Sequence, residues 1–526
     1  MIHFNRRQAV GLFAAALLPI SSQARAQDKR VLRVAAHASL RLLDPLTTTA
    51  YITRNHGYMI YDTLFAVNSK YEPKPQMVKS WTASDDRLNY TFELREGLQF
   101  HDGAPVTAED CVASLARWMK RDLTGGLIAA SLSEMTATDA RTFKIVLKEP
   151  FGHLLEALAK PSSLVPFIMP KRIASTPPDK NIEEHIGSGP FKFIVPEFRP
   201  GVRVVYERHA GYVPRDDAPD FLSGAKIAKV DRVEWVSTPD MQTAVNAITK
   251  GELDILEITN ADTISLLEGV QDVVIQKLAS ANTPTMRFNW LQPPFDKVKT
   301  RQAVQAAVTQ RDFMDALIGN PKAYTICGAL FGCGTPLETD IGAIGTSEAD
   351  LAKAKALLKE SGYKGEQTVV LNTGDIPSFA GLAPLAAQIM RSIGMNVDMP
   401  TMDFATMLTR RNRQVPVAEG GWSAAFGVWN TLDLNSPLAN LNLDTRGAAG
   451  YAGWSSDETL AGLKADFARE LDPQKQKAIA AQIQKRAYEL VFYIPLGTYF
   501  NFGAHRSNVS PMPASPVSVF WGIEKT

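Results

Sequence analysis

Two short segments contain a serine in a spacing that enzymes use for nucleophilic attack. Ser423 lies in Gly-Trp-Ser-Ala-Ala, a partial G-x-S-x-G motif without the second glycine. Ser361 matches Ser-x-x-Lys with Lys364, but Gly362 predicts the end of a helix there, where a helix-supported nucleophile is not expected. The eight histidines form no H-x-x-x-H pair and no cluster with cysteine. These features leave a secreted hydrolase as a remote alternative, and no nucleotide-binding loop is found.

The amino-terminal segment predicts export from the cytosol. Arg6-Arg7 precede the uncharged stretch Ala9–Ser22, and Ala24-Arg25-Ala26 forms an A-x-A cleavage site. We therefore expect residues 1–26 to be a cleaved signal peptide and the mature chain to begin at Gln27. The apolar run is too short for a membrane-spanning helix of about 20 residues, and no cysteine near the site could accept a lipid. The arginine pair leaves both the general secretory route and the twin-arginine route open.

Composition and charge indicate a large globular protein. The chain has 526 residues, of which 45% are hydrophobic and 21% charged. Such a length predicts two or three structural units. Removing the three arginines of the signal peptide leaves 56 − 3 = 53 basic residues against 55 acidic ones, a net charge near −2. A nucleic-acid partner is therefore not expected, because phosphate binding needs clustered positive charge.

The three cysteines predict one disulfide and one buried thiol. Cys327 and Cys333 enclose a short glycine-containing loop, which in an oxidising compartment favours a disulfide. Metal ligation is the weaker interpretation, since no histidine or third cysteine lies nearby in sequence. Cys111 lies in an apolar helical pattern and is expected to be a small buried residue.

Alternating strand and helix patterns predict α/β units. Val230–Val236 is typical of a strand, Thr238-Pro239 of a helix start, Gly251 of a helix end and Leu253–Ile258 of the next strand. The order strand, helix, strand predicts a βαβ unit.

A second βαβ unit is predicted further along the chain. It comprises Thr368–Leu371, the helix Leu382–Ile393 with Gly394 as its stop, and Met395–Met399. Strand patterns nearer the amino terminus are Val31–Ala36, Tyr90–Leu94, Leu98–Phe100 and Phe143–Leu147. The last three of these indicate a smaller α+β insertion between two α/β lobes.

Segment 81–110 carries the densest local pattern. It contains an alternating Tyr-Thr-Phe-Glu-Leu-Arg strand, then Phe100-His101-Asp102-Gly103, and ends in Thr-Ala-Glu-Asp110. Thr107 and Asp110 have capping-box spacing for the following helix. His101 lies in a turn, where a hydrogen bond to the turn is its simplest role. This order of features closely resembles the family-5 extracellular solute-binding proteins of ABC importers.

Further motifs of the same family follow in order. They are Tyr61-Asp-Thr-Leu-Phe65, Gly187-Ser-Gly-Pro-Phe191, Pro293-Pro-Phe295 with Arg301-Gln-Ala303, and Ala354-Lys-Ala-Leu-Leu358 with Gly362-Tyr363. The resemblance thus covers essentially the whole mature chain.

The resemblance implies an α/β fold, a bilobal periplasmic-binding-protein clamshell (class II-like) with an inserted α+β subdomain. The expected divisions are 27–55 with 187–280 and 490–526 for lobe I, 56–186 for the insertion, and 281–489 for lobe II. A solute bound between the lobes favours the closed state, because it contacts both. The expected protein is a periplasmic monomer without cofactor that delivers its solute to an ABC permease.

The resemblance also suggests where a ligand binds. In peptide receptors of the family, an aspartate of the later lobe that follows a tryptophan pairs with the α-amino group of the peptide. Asp433 is the only carboxylate in the corresponding segment 422–437, although its distance from Trp422 and the absence of Asp-Pro depart from the family pattern. Trp422 and Trp429 are expected either to line the cleft or to fill a lobe core.

Two other residues are candidates for ligand contact. Asn289 matches an asparagine on an interlobe strand of the family and offers either an amide to a ligand or a turn cap. Arg410 belongs with Arg411 and Arg413 to a basic cluster near the end of a helix that Asp403 begins. The cluster is expected to complement the helix end, with a ligand carboxylate as the alternative partner.

The sequence therefore predicts a receptor for a small solute, most simply a short peptide. A non-peptide cargo, such as an opine-like conjugate or a chelated metal, is the alternative within the same family.

Overall fold

The computed structural model describes residues 30–162, 164–259, 261–344, 348–374, 376–379 and 381–526. The predicted signal peptide and the predicted mature start at Gln27 lie outside the described residues.

The helices are short and separated by strands and loops. They are α1 (Tyr51–Ile60), α2 (Ala108–Met119), α3 (Leu123–Ser131), α4 (Leu154–Leu158), α5 (Lys171–Ala174), α6 (Met241–Thr249), α7 (Ala261–Leu267), α8 (Val298–Ala307), α9 (Gln310–Leu317), α10 (Leu351–Glu360), α11 (Leu382–Ser392), α12 (Phe404–Arg411), α13 (Thr431–Leu434), α14 (Glu458–Arg469) and α15 (Pro473–Leu490). No helix in the described part of the chain combines the length and apolar character that crossing a membrane needs.

The strands range from two-residue pairs to one long crossing strand. They are β1 (Val31–Ala35), β2 (Asp62–Thr63), β3 (Phe65–Val67), β4 (Pro73–Pro75), β5 (Val78–Ala83), β6 (Asn89–Leu94), β7 (Leu132–Ala137), β8 (Thr142–Leu147), β9 (Phe167–Ile168), β10 (Phe191–Phe193), β11 (Arg203–Arg208), β12 (Arg232–Val236), β13 (Ile255–Thr259), β14 (Val273–Phe288), β15 (Tyr324–Thr325), β16 (Thr368–Val369), β17 (Asn372–Thr373), β18 (Val397–Asp398), β19 (Thr401–Met402), β20 (Ala424–Asn430), β21 (Ile494–Pro495) and β22 (Thr498–Arg506).

A mixed sheet runs through the molecule in the order β10-β11-β12-β1-β13-β22-β14-β20. Strand β1 pairs in parallel with both β12 and β13, which places it between the two strands of the first predicted βαβ unit. The long strand β14 pairs with β22 along its first part and with β20 along its second. Strand β20 therefore forms one end of the sheet.

The helix of the first βαβ unit begins later than predicted. Thr238 and Pro239 precede it, and the side chain of Asp240 caps it by accepting a hydrogen bond from the Thr243 N–H at 2.7 Å. A carboxylate beside the free N–H groups at a helix start is favoured by hydrogen bonding and by the helix dipole. The predicted stop is correct, since Gly251 follows the helix with φ of 75°.

The second βαβ unit has the predicted parallel pairing. Strand β16 pairs with β18 and β17 with β19, and α11 connects them. Gly394 follows α11 with φ of 102°, a conformation that a glycine adopts without steric cost.

The inserted region contains an antiparallel sheet in the order β5-β6-β8-β7. The predicted capping box is present at the start of α2, where Thr107 and Asp110 exchange hydrogen bonds. The predicted strand Leu98–Phe100 is wrong, because this segment turns back on itself. The Phe100 N–H donates to the Ala104 carbonyl at 2.8 Å, and only an isolated bridge joins Gln99 to Pro105.

The cysteines are arranged as the sequence indicates. Cys327 and Cys333 are joined by a disulfide, and Cys111 is a buried free thiol in α2. Burial raises the pKa of the Cys111 thiol. The predicted domain divisions remain a proposal, and the division at residues 280/281 falls inside β14.

Candidate functional site

Asp433 lies at the point where the end strand of the sheet turns into a short helix. Strand β20 ends at Asn430, whose side chain accepts a hydrogen bond from the Leu432 N–H at 3.0 Å and so begins α13. Asp433 is on this helix and is 5% exposed. Its Oδ2 accepts a hydrogen bond from the Tyr51 hydroxyl at 2.5 Å, whereas Oδ1 is buried and has no partner among the described residues.

Tyr51 brings the two predicted lobes together at this point. It lies at the start of α1, 382 residues from Asp433, and its hydroxyl also accepts the Asn430 N–H at 2.9 Å. Burial and the neighbouring Asp433 carboxylate hold the pKa of Tyr51 well above its ordinary value, so the phenol remains a donor. The Arg54 guanidinium lies 4.5 Å from the centre of the Tyr51 ring and orients it.

The outer edge of β20 has protein partners at its two ends and none printed among the described residues for the backbone of Val428. The Asn430 N–H and the Ala424 carbonyl both point away from β14, toward Tyr51 and Leu371 respectively. Backbone direction alternates along a strand, so the N–H and carbonyl of Val428 point to the same outer edge. On the inner side, Val428 faces Pro284, which has no N–H to donate. An extended ligand could thus pair with β20 just before Asp433.

Two cavities adjoin this strand and helix. The larger, of about 200 Å³, lies between the predicted insertion and lobe II and adjoins α13 through Leu432 and Asn435. Its other walls include Tyr71, Lys160 and Leu337. The smaller, of about 10 Å³, lies against the face of β20 and is lined by residues that include Arg287, Arg411, Gly427, Trp429, Asn442 and Tyr451.

Both predicted tryptophans line the smaller cavity, and Trp429 is the one that is partly exposed. Its indole N–H donates to the Thr285 hydroxyl at 3.1 Å, and its ring centre lies 5.8 Å from that of Tyr451. The ring crosses Gly427, where a Cβ atom would come within 2.6 Å of the indole nitrogen. Trp422 is fully buried and packs against Trp454 at 5.7 Å, which is the core role weighed as its alternative.

Asn289 and Arg410 make contacts within the protein. The Asn289 side chain donates to the Trp422 carbonyl at 2.9 Å and accepts the Leu291 N–H at 3.0 Å, as a turn cap does. Arg410 donates to the carbonyls of Gly420 at 3.1 Å and Gly421 at 2.9 Å, in the loop after α12. Asn289 and Arg410 thus bond within the protein, and ligand contact by any of the five candidate residues remains a prediction.

Sequence reasoning missed three residues of this region. Tyr51 carries no local signal, because only the fold places it beside Asp433. Arg287 and Tyr451 likewise lie in unrelated segments of the chain and meet at the smaller cavity. A cation between the apolar Met286 and Phe288 was the local signal for Arg287.

The serine and histidine motifs have structural roles. The Ser423 hydroxyl is buried and accepts the Val369 N–H at 3.0 Å, and Ser361 donates to the Leu358 carbonyl at 2.7 Å. His101 bonds to the backbone of Gly187 and Gly189. Burial and the neighbouring His209 lower the pKa of His101 to about 3.

Comparison with known sequences identifies the same family that the motifs resemble. The profile described as bacterial extracellular solute-binding proteins, family 5 Middle, matches residues 72–441. A probable peptide ABC transporter periplasmic-binding protein of Sinorhizobium fredii is 36% identical over 98% of both chains. The glutathione-binding protein GsiB of Salmonella typhi is 25% identical over 91% of this chain and 90% of its own.

A solved structure supports the fold. The periplasmic binding protein DppA from Helicobacter pylori, in complex with the peptide STSA, has a TM-score of 0.76 at 22% identity and covers 95% of this chain and 99% of its own. The fold is thus the predicted α/β clamshell of the periplasmic binding proteins. By its sequence and its fold, this chain belongs to family 5 of the bacterial extracellular solute-binding proteins, a family of receptors and not of enzymes.

Proposed function

We propose that this protein captures a short peptide with a free amino terminus between its lobes and delivers it to the membrane subunits of an ABC importer. The observation that carries the proposal is the Asp433 carboxylate, buried at the lobe junction with Oδ1 unpartnered. A buried carboxylate oxygen without a donor is costly, so a cationic group that reaches it gains a strong, charge-assisted hydrogen bond.

The strand beside Asp433 provides the second element of peptide recognition. The outer edge of β20 offers the backbone groups of Val428, and an extended peptide can bind to such an edge as an added strand. Backbone pairing is independent of side-chain identity, whereas the Asp433 contact requires an amino group. Together they favour peptides of varied sequence with a free amino terminus.

The contact between Tyr51 and Asp433 couples binding to closure. Tyr51 belongs to the predicted lobe I and Asp433 to the predicted lobe II, so a solute at this point touches both. Such a solute stabilises the closed form by its extra contacts, and the closed form is what a permease would recognise. The relatives named for peptide and glutathione binding support both the cargo class and the importer.

The proposal includes export to the periplasm and a monomeric state. The chain is released into the periplasm after cleavage behind Ala26 and acts there as a monomer. Amino-terminal sequencing of the periplasmic fraction should begin at Gln27, and a lipid-modified protein in the membrane pellet would contradict this.

The cargo class is tested with a defined probe. An equimolar pool of alanine peptides of two to five residues is compared with the same pool acetylated at the amino terminus, by native mass spectrometry and then calorimetry. Asp433→Asn should weaken binding of the free peptides about a hundredfold, because the ammonium loses the negative charge of Asp433. Acetylated peptides should bind weakly to both proteins.

Asp466→Asn is the matched control, since it removes the same charge from an exposed position of α14. It should leave affinity unchanged. Equal affinity of wild type and Asp433→Asn would exclude the amino anchor. Failure of the whole pool, with a co-purified mass that is no peptide, would instead favour the opine-like or metal-chelate cargo.

A further inference from the structure

The larger cavity lies between the predicted insertion and the predicted lobe II. Tyr71 and Lys160 belong to its insertion side, and Leu337 and Phe467 to its other side. Among the described residues, its lining includes neither Asp433 nor any residue of β20. Its volume of about 200 Å³ exceeds the roughly 150 Å³ of a protein cavity that holds benzene. The cavity can therefore hold a ring or a chain of several heavy atoms, apart from the edge of β20.

Much of the cavity wall is apolar. The apolar residues include Val67, Pro161, Leu337, Leu432, Leu438 and Phe467. The His153 ring stacks on that of Phe467 with their centres 4.4 Å apart, and its Nε2–H donates to the Phe467 carbonyl at 2.9 Å. Burial lowers the pKa of His153 to about 4, so this imidazole is neutral at pH 7 and adds no charge to the wall. An apolar group that enters the cavity is thus favourably removed from water.

The charged residues of the wall leave one negative charge without a counter-charge. Lys160 is paired with Asp122, whose other oxygen accepts the Gly125 N–H at 2.9 Å. Glu156 on α4 makes no ion pair within the described part of the chain. Burial raises the pKa of its carboxyl group, against a smaller effect of its own backbone N–H. Since the residue is nonetheless exposed, its carboxyl group lies in a recess that a ligand can reach.

Two neutral polar side chains of the same wall also lack partners. Thr124 is 5% exposed, and its Oγ1 makes no hydrogen bond to the described residues. Asn435, which follows α13 on the other side of the cavity, has a side-chain amide without a hydrogen bond in the described chain. A buried hydroxyl without a partner is unfavourable, so a ligand that brings a hydrogen-bonding group to this wall gains from it.

We propose that this cavity binds an apolar chain that ends in a cationic group. The apolar wall holds the chain, the Glu156 carboxylate pairs with the cation, and the Thr124 hydroxyl or the Asn435 amide oxygen accepts a remaining N–H. An anion is disfavoured, because the uncompensated charge of the wall is negative. The site goes beyond the proposed function, since it uses neither the Asp433 carboxylate nor the edge of β20.

The cation can reach the cavity from two sources. One is a basic side chain of the bound peptide, because the cavity adjoins α13 at Leu432, the residue before Asp433. Successive residues of a helix point about 100° apart, so these two side chains lie on neighbouring faces of α13. The other source is a separate small amine, which needs no contact with Asp433.

The test compares ligands of equal length with and without the charge. Trialanine is changed at each position in turn to lysine or to norleucine, and n-pentylamine and n-pentanol represent the separate solute. Affinities are measured by calorimetry for wild type, Glu156→Gln and Ala439→Leu, the last of which fills part of the cavity. Glu183→Gln is the matched control, because it removes the same charge from an exposed residue of the predicted insertion.

We expect wild type to bind a lysine peptide about 10-fold more tightly than its norleucine counterpart, or pentylamine about 10-fold more tightly than pentanol. Glu156→Gln should abolish this preference, and Glu183→Gln should keep it. Ala439→Leu should weaken both members of the preferred pair, because it excludes the chain. A preference seen only in the peptides assigns the site to a side chain of the cargo. A preference seen in the amines assigns it to a solute that binds independently.

Equal binding within every pair, with trialanine still requiring its free amino group, would overturn this inference and leave the proposed function standing. Failure of all the peptides, with pentylamine binding that depends on Glu156, would do the reverse. A preference for the cation that survives in a folded Glu156→Gln protein, checked by its circular dichroism, would also overturn the inference, because another group would then supply the negative charge.

Discussion

Buried charged side chains have ion-pair partners in one region of this molecule and lack them in another. Around the predicted insertion they occur as ion pairs, which are Asp44 with Arg117, Asp62 with Lys226, and Asp122 with Lys160. The first pair is the most complete, since both terminal nitrogens of Arg117 reach Asp44 and its Nε donates to the Thr176 carbonyl. Each charge in these three pairs has an opposite charge within the protein.

Along β20 the buried charges lack such partners. Asp433 has an oxygen without a donor among the described residues, and Arg287, whose hydrogen-bond acceptors are neutral, shares the Tyr451 ring with the half-buried Arg411. Unpaired buried charge lowers stability, so a fold retains it where a ligand completes the pairing. The comparison separates charges that hold the structure from charges that we propose to be available to the cargo.

The largest expected effect comes from breaking a structural pair. Arg117→Met leaves Asp44 buried without a counter-charge, which should cost about 3 to 5 kcal/mol of unfolding free energy. Denaturant unfolding measures it, and Arg172→Met, in an exposed ion pair, should cost under about 1 kcal/mol as the control. Similar losses in both variants would contradict the distinction between the regions.

Acidification should also destabilise the paired region. Burial, with help from His185, lowers the pKa of His56 to about 3, so the folded protein keeps this imidazole neutral. Above pH 6.5, about the pKa of histidine in the unfolded chain, His56 is neutral in both the folded and the unfolded state, and the contribution of its burial to stability is complete. As the pH falls from there toward 3, only the unfolded chain takes up the proton, so this stability is lost. The loss should reach about 3 kcal/mol near pH 4.

The variant His56→Gln should therefore show a flatter fall of melting temperature between about pH 7 and pH 4 than wild type. Its stability at pH 7 is expected to be lower, because the bond from its ring to the Tyr206 hydroxyl changes. An unchanged slope would mean that other groups carry the acid sensitivity.

The disulfide should make a moderate contribution to stability. Its cysteines are six positions apart, and closing so short a loop restricts the unfolded chain by about 2 kcal/mol. Replacing both by serine should lower unfolding free energy by that amount. Cys111→Ser is not a suitable control, because it buries a hydroxyl; Cys111→Ala tests the free thiol instead. Unreduced peptide mapping should recover Cys327 linked to Cys333.

The smallest expected effect distinguishes the second region most directly. Arg411→Met removes a half-buried cation that shares the Tyr451 ring with Arg287, so the protein should keep its stability or gain up to about 1 kcal/mol. Arg413→Met should leave stability unchanged. A marked loss of stability in Arg411→Met would show that Arg411 holds the structure and belongs with the paired charges.

Local patterns were sufficient for much of the fold. The capping box at Thr107 and Asp110, the helix stops at Gly251 and Gly394, and the cysteine spacing each depend on neighbours within a few residues. The resemblance to the family then supplied the arrangement of lobes. At Leu98–Phe100 the apolar pattern predicted a strand, and that prediction was wrong. The apolar residues there are buried in a turn and not in a strand.

For the site, sequence by itself determined that Asp433 is a lone carboxylate near a tryptophan, and only the tertiary structure decided what surrounds it. Tyr51 reaches Asp433 across 382 residues, and Arg287 and Arg411 meet at one ring from separate elements. Trp422, Asn289 and Arg410 donate hydrogen bonds to carbonyl groups of the protein. Residue type predicts what a side chain can bind, but which partner it has depends on long-range packing that no local spacing encodes.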